Sequence, residues 1–124
     1  MMNNLSHKQL AAAMTHAILG SGVDRQAAST AMDYTFEAEA LTKVLSIRIH
    51  STTLPTTSED LTIKVKNASQ STAHEITLLQ QDMQAVSDIH FTDPVFLVAG
   101  DVLSIEWANS DAVSWGISVI KGGE

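Results

Sequence analysis

At 124 residues the chain has room for one hydrophobic core but not two, and without cysteine it can hold neither a disulfide framework nor a thiolate metal site. Its net charge of −7 is unevenly spread: residues 1–31 carry Lys8 and Arg25 against Asp24, whereas residues 32–124 carry five basic against thirteen acidic groups. So acidic a body repels phosphate backbones and argues against nucleic-acid binding, and no apolar run approaches the roughly 20 residues that span a bilayer.

The chain opens on a helical pattern. Ser6 is placed to cap, Gln9 to reach back to it, and Leu5 to staple against Leu10. Apolar residues continue through Ala11, Ala12, Ala13, Met14, Ala17, Ile18 and Leu19, and Gly20 is placed to end the helix. Its Ala-rich stretch carries His16 and lacks the charged-then-apolar order of a signal peptide. A helix of about thirteen residues is marginal by itself and needs a surface to pack on. Two readings stand side by side: it covers one open end of its own domain, or it is an arm that docks on a neighbouring subunit through Leu10, Met14, Ile18 and Leu19. Asp24 is placed to cap a second short helix over residues 25–32, giving an N-terminal helical arm over 1–31.

From Asp33 the period changes from helical to alternating. Tyr34 and Phe36 share one face. In residues 44–50, Leu45, Ile47 and Ile49 alternate with Ser46, Arg48 and His50, and Leu61, Ile63 and Val65 alternate with Thr62, Lys64 and Lys66. Polar turns fall at 51–60 and 67–73, a strand through Ile76 and Leu78 covers 75–80, and 81–87 reads as a connection to Ile89 and Phe91. The densest pattern lies between Asp93 and Ile120. Two short breaks, at 99–101 and 109–111, separate three strands in which Leu103, Ile105 and Trp107, then Val113, Trp115, Ile117 and Val119, occupy the apolar phase. Seven to nine short strands at near-regular spacing, with 25 Ser and Thr residues in the chain for their watered faces, predict a mainly β domain over 32–124. The expected architecture is an antiparallel β-sandwich, jelly-roll-like, carrying the helical arm.

No catalytic arrangement is legible, and no enzyme is expected. His7, His16, His50, His74 and His90 make none of the spacings that hold zinc, though the last three fall near strand ends, where they read as solvated surface residues. Asp82, Asp88, Asp93, Asp101 and Asp111 sit in or beside loops, where turn formation explains them; no run of alternating acids suited to calcium occurs, and no cofactor is expected. No serine lies in a nucleophile-elbow context. Trp107 and Trp115 are the residue type of a sugar-stacking platform, but their phase places them in the core.

Four blocks in order, Pro55 to Ile63, Leu78 to Met83, Ala99 to Asn109 and Trp115 to Ile117, make the chain resemble small structural proteins of tailed bacteriophages. The likeness runs from Phe36 to Val119 and leaves the leader outside it. Each block is a strand-and-turn signature, so the resemblance implies no catalytic residues. It implies instead a virion protein made in the host cytoplasm, most simply a head decoration or cement protein. Its partners would be the major capsid protein and copies of itself, as a trimer or dimer. Many weakly bound copies bridging adjacent capsomers hold by avidity. Deleting 1–31 is then expected to leave a folded monomer. A tail, collar or fibre-attachment component is the alternative within the virion, and a carbohydrate-binding sandwich with an exposed tryptophan is the alternative outside it.

Overall fold

The computed structural model of the protein describes residues 22–67 and 75–123. These form nine strands, with no helix among the described residues: β1 (Gly22–Ala28), β2 (Met32–Glu37), β3 (Thr42–Ser51), β4 (Asp60–Asn67), β5 (Ile76–Asp82), β6 (Asp88–Phe91), β7 (Val95–Leu97), β8 (Asp101–Trp107) and β9 (Trp115–Gly123). Two antiparallel sheets enclose one core. The first has the order β1-β9-β3-β6, with β7 also on β3, and the second the order β2-β8-β4-β5. Only β4–β5 and β6–β7 follow one another within a sheet; every other connection passes from one sheet to the other. The breaks at 99–101 and 109–111 are therefore crossings between sheets, and Gly100 makes the first of them possible with a φ of 91°.

The core follows the expected phase over most of the chain. Ile47 and Ile49 of β3, Leu61 and Ile63 of β4, Leu103, Ile105 and Trp107 of β8, and Trp115, Ile117 and Val119 of β9 are all buried, with Met32, Tyr34 and Met83 among them. Burying such side chains is worth about 1.5–3 kcal/mol each, so this shared interior is what holds the two sheets together.

Four expectations are corrected. Residues 25–32 are not a helix. Gly22 to Ala28 pair residue for residue with Lys121 to Trp115 of β9, and Met32 already belongs to β2. An Ala-containing segment takes the strand state here because a full partner ladder outweighs a weak local preference. The sandwich thus begins at Gly22 rather than at residue 32, and removing 1–31 would strip a strand from the first sheet. The helical reading of the leader, with Leu10, Met14, Ile18 and Leu19, lies outside the described residues. Leu45 points outward and is 43% exposed, because the pairing of β3 with β9 shifts register between Val44 and Ser46. One extra residue in a strand reverses the phase on one side of it, so Val44 takes the inward place. Gln81 and Asp82 continue β5 rather than starting a connection, and a second register shift opposite Ile63 and Lys64 leaves Ile76 exposed.

Candidate functional site

The strongest surface feature lies on the outer face of the first sheet. Alternation sends Arg25 and Ala27 of β1, Gly116 and Ser118 of β9, Arg48 and His50 of β3, and Asp88 and His90 of β6 away from the core. The register lines these up as two rungs across four strands: Arg25, Ser118, Arg48 and His90 on one, Ala27, Gly116, His50 and Asp88 on the next. The small side chains of Ala27, Gly116 and Ser118 form the floor, and the sheet curves into a groove of about 700 Å³.

The charge in this groove is unlike that of the rest of the chain. Its arginines, Arg25 and Arg48, are the chain's only two, and they flank Ser118 on a single rung. Strands lie about 4.8 Å apart, which sets the two backbones about 10 Å from each other, within reach of one ligand group for side chains of that length. Neither guanidinium makes an ion pair or hydrogen bond among the described residues. Asp88, the one carboxylate here, is engaged by His50, whose Nδ1 lies 2.7 Å from Asp88 Oδ1. An anion meets two unneutralised planar forks here, with hydroxyl and imidazole groups beside them.

Beyond the groove the same face turns apolar. Val23 of β1 and Ile120 of β9 are directly paired and both exposed. Leu45 lies over Gly122, its Cδ1 3.7 Å from where a Cβ there would stand. On β7, Phe96 pairs with Lys43, whose Nζ sits 5.5 Å from the ring centroid, and Phe96 is 62% exposed. Leu41 and Val98, one step past the Thr42–Leu97 pair, are exposed as well. Six of the eight large apolar side chains exposed among the described residues therefore lie on or at the rim of one sheet face. Such concentration is how protein surfaces meet partners.

The tryptophans and three of the loop acids fall outside this groove. Trp107 and Trp115 are buried at 2% and 5% exposure, so neither offers a stacking platform, and Trp115 Nε1 donates to the carbonyl of Thr30 at 2.7 Å. Three of the loop acids hold turns. Asp111 accepts from the amides and hydroxyls of both Thr56 and Thr57 at 2.7–3.0 Å, Asp101 Oδ2 accepts from the Val98 amide, and Asp82 Oδ1 from the Gln84 amide. The two bonds from Thr57 first, with those from Thr56 adding to them, hold the Asp111 carboxyl below its ordinary value against the opposing effect of desolvation. No group of three or more His, Asp or Glu side chains suited to a metal ion forms among the described residues. His50 and His90 do come together, one rung apart on neighbouring strands, while His74 lies outside the described residues. Sequence reasoning put Arg48 and His50 on the outward phase but had no means to bring Arg25 or His90 beside them, because period two is silent on which strands pair. No protein-family model and no curated protein matches the chain.

Proposed function

We propose that the protein is a non-enzymatic structural component of a tailed-phage virion, a decoration or cement protein that binds between major capsid subunits as a trimer or dimer. The strand order β1-β9-β3-β6 facing β2-β8-β4-β5 supports reading the sandwich as a jelly roll, an architecture widely used in capsid and lectin domains. The observation that carries the proposal is the apolar half of the first sheet's outer face: Val23, Leu45, Phe96 and Ile120 exposed together on a body that is otherwise acidic. A binding protein that covers a shell in many copies needs a modest apolar contact per copy and a charged remainder that keeps it soluble. On this reading the leader adds to the contact through Leu10, Met14, Ile18 and Leu19.

The test uses heads assembled from the major capsid protein encoded alongside this chain. Purified full-length protein is expected to co-sediment with them at saturable stoichiometry, and Phe96→Asp with Leu45→Asp to leave it in the supernatant. Wild-type protein that stays in the supernatant, or binds isolated tails instead, overturns the reading.

A further inference from the structure

We infer that the groove on the outer face of the first sheet is a binding site for an acidic oligosaccharide, one whose carboxylate or sulfate group sits above Ser118 between Arg25 and Arg48. The inference does not rest on the virion reading. It rests on a coincidence of charge and shape. A protein of net charge −7 places both of its arginines on one rung of one sheet, facing the same small-floored groove, and leaves both guanidiniums without a partner among the described residues. The shared rung lets both guanidiniums reach one anion above Ser118, which would accept planar, two-pronged hydrogen bonds from each.

The rest of the groove suits hydroxyl groups. Ser118 and His90 share the arginine rung, and the neighbouring His50–Asp88 pair offers an imidazole and a carboxylate to adjacent hydroxyls. A volume of about 700 Å³ lies within the range of small-molecule sites and accommodates two or three sugar rings. A peptide is the poorer occupant. Extended peptides gain affinity by adding along a sheet edge, and here the groove runs across the face of four strands, with both arginines reached from above the sheet and not along an edge. Nucleic acid needs far more than two cations against an acidic body. A neutral sugar lacks an anchor too, since both tryptophans are buried. Charge has to supply the affinity.

Isothermal titration of the full-length protein with trigalacturonate, with its neutral methyl ester, with a sulfated carrageenan oligosaccharide, with hexaglutamate and with inorganic sulfate separates the possibilities. At least one of the two acidic oligosaccharides is expected to bind, more weakly as salt rises, while the methyl ester, the peptide and free sulfate do not. Arg25→Gln and Arg48→Gln should each weaken binding by about tenfold or more. Gly116→Val is the shape test. A Cβ at Gly116 meets nothing nearer than the Gln26 carbonyl at 3.8 Å, so the variant should melt like wild type and yet lose binding as its methyls fill the floor. The proposal is overturned by silence from both acidic oligosaccharides, by equal binding of the neutral ester or the peptide, by equal binding of inorganic sulfate, or by arginine variants that bind as wild type does.

Discussion

Lys121 is the only charged residue on the inward phase of β9, where Trp115, Ile117 and Val119 precede it. Its ammonium lies 3.6 Å from the Phe36 ring centroid and 2.9 Å from Asp24 Oδ2, which also accepts a 2.6 Å hydrogen bond from Tyr34 Oη. The group closes the corner between β1, β2 and β9. Partial burial pushes the Asp24 carboxyl up, but the bonds from Tyr34 and Lys121 and the lysine charge together outweigh it and leave the group below its ordinary 3.8. A carboxylate lowered in this way contributes stability that is full above pH 3.8 and is lost as the pH falls through the folded-state value. Asp24→Asn should therefore lower Tm at neutral pH, with the gap to wild type closing below about pH 4, read by thermal melts across an acid series. Burial first, then the bond and charge of Asp24, raise Tyr34 well above its ordinary 10.0. Its contribution runs the opposite way: full below pH 10, lost as the pH climbs toward the folded value. Tyr34 is the chain's single tyrosine, so the ultraviolet titration of the native protein should show no tyrosinate until well above pH 10, and a step near 10 would contradict the network. At the opposite pole Ala112 holds a left-handed φ of 55°, a conformation that costs an L-residue about 1–2 kcal/mol. Ala112→Gly should stabilise by about 0.5 kcal/mol in denaturant melts once glycine's greater freedom in the unfolded chain is subtracted.

At the scale of strands, the register shift in β3 separates two residues that a plain alternation treats alike. Ile47→Ala is expected to cost about 2–5 kcal/mol, whereas Leu45→Lys should fall within about 0.5 kcal/mol of wild type, both read by denaturant unfolding. Similar costs at the two sites would mean that the shift is absent. The two halves of the molecule were unequally legible for the same kind of reason. In β8 and β9 the alternation of Leu103, Ile105 and Trp107 with polar neighbours is unbroken, so phase alone locates the core. In β3 and β5 one inserted residue reverses the phase partway, and nothing local in Val44-Leu45-Ser46 announces it. Strand β1 hid more deeply: Gly22 to Ala28 is short, Ala-containing and half polar, and its state is set by a partner nearly a hundred residues away. The arginine rung inherits that difficulty, because Arg25, Arg48 and His90 meet only through the pairings of β1, β9, β3 and β6. Truncation makes the point measurable. Removing residues 1–21 leaves β1 in place, so the product should melt cooperatively; removing 1–31 bares the long edge of β9, and the product should aggregate or fail to fold.

For the molecule as a whole, most connections cross between sheets, so few contacts form between neighbours in sequence. Folding on the millisecond-to-second scale is the expectation for such a topology. The loop pole is closed by side-chain hydrogen bonds: Asp111 gathers Thr56 and Thr57, Glu59 receives the Ser110 amide at 2.9 Å, and Asn109 spans Thr30 and Val113. Asp111→Ala should accordingly speed hydrogen exchange at the Thr56 and Thr57 amides while leaving β8 and β9 protected. On the proposed reading of the leader, light scattering of the full chain should give a dimer or trimer, and the chain lacking residues 1–21 a monomer. The pairing of β1 with β9 also fixes how the body answers to force. Because the two strands run antiparallel, Gly22 and Lys121 stand opposite each other at one end of their ladder. A pull applied to the two ends of the chain would load that ladder a single rung at a time, as a zipper is opened, and never share the load along its length. Optical-trap stretching through residues 22 and 121 should then show early rupture of the first sheet at low force. The same body, gripped across its faces and not by its ends, would resist as a unit.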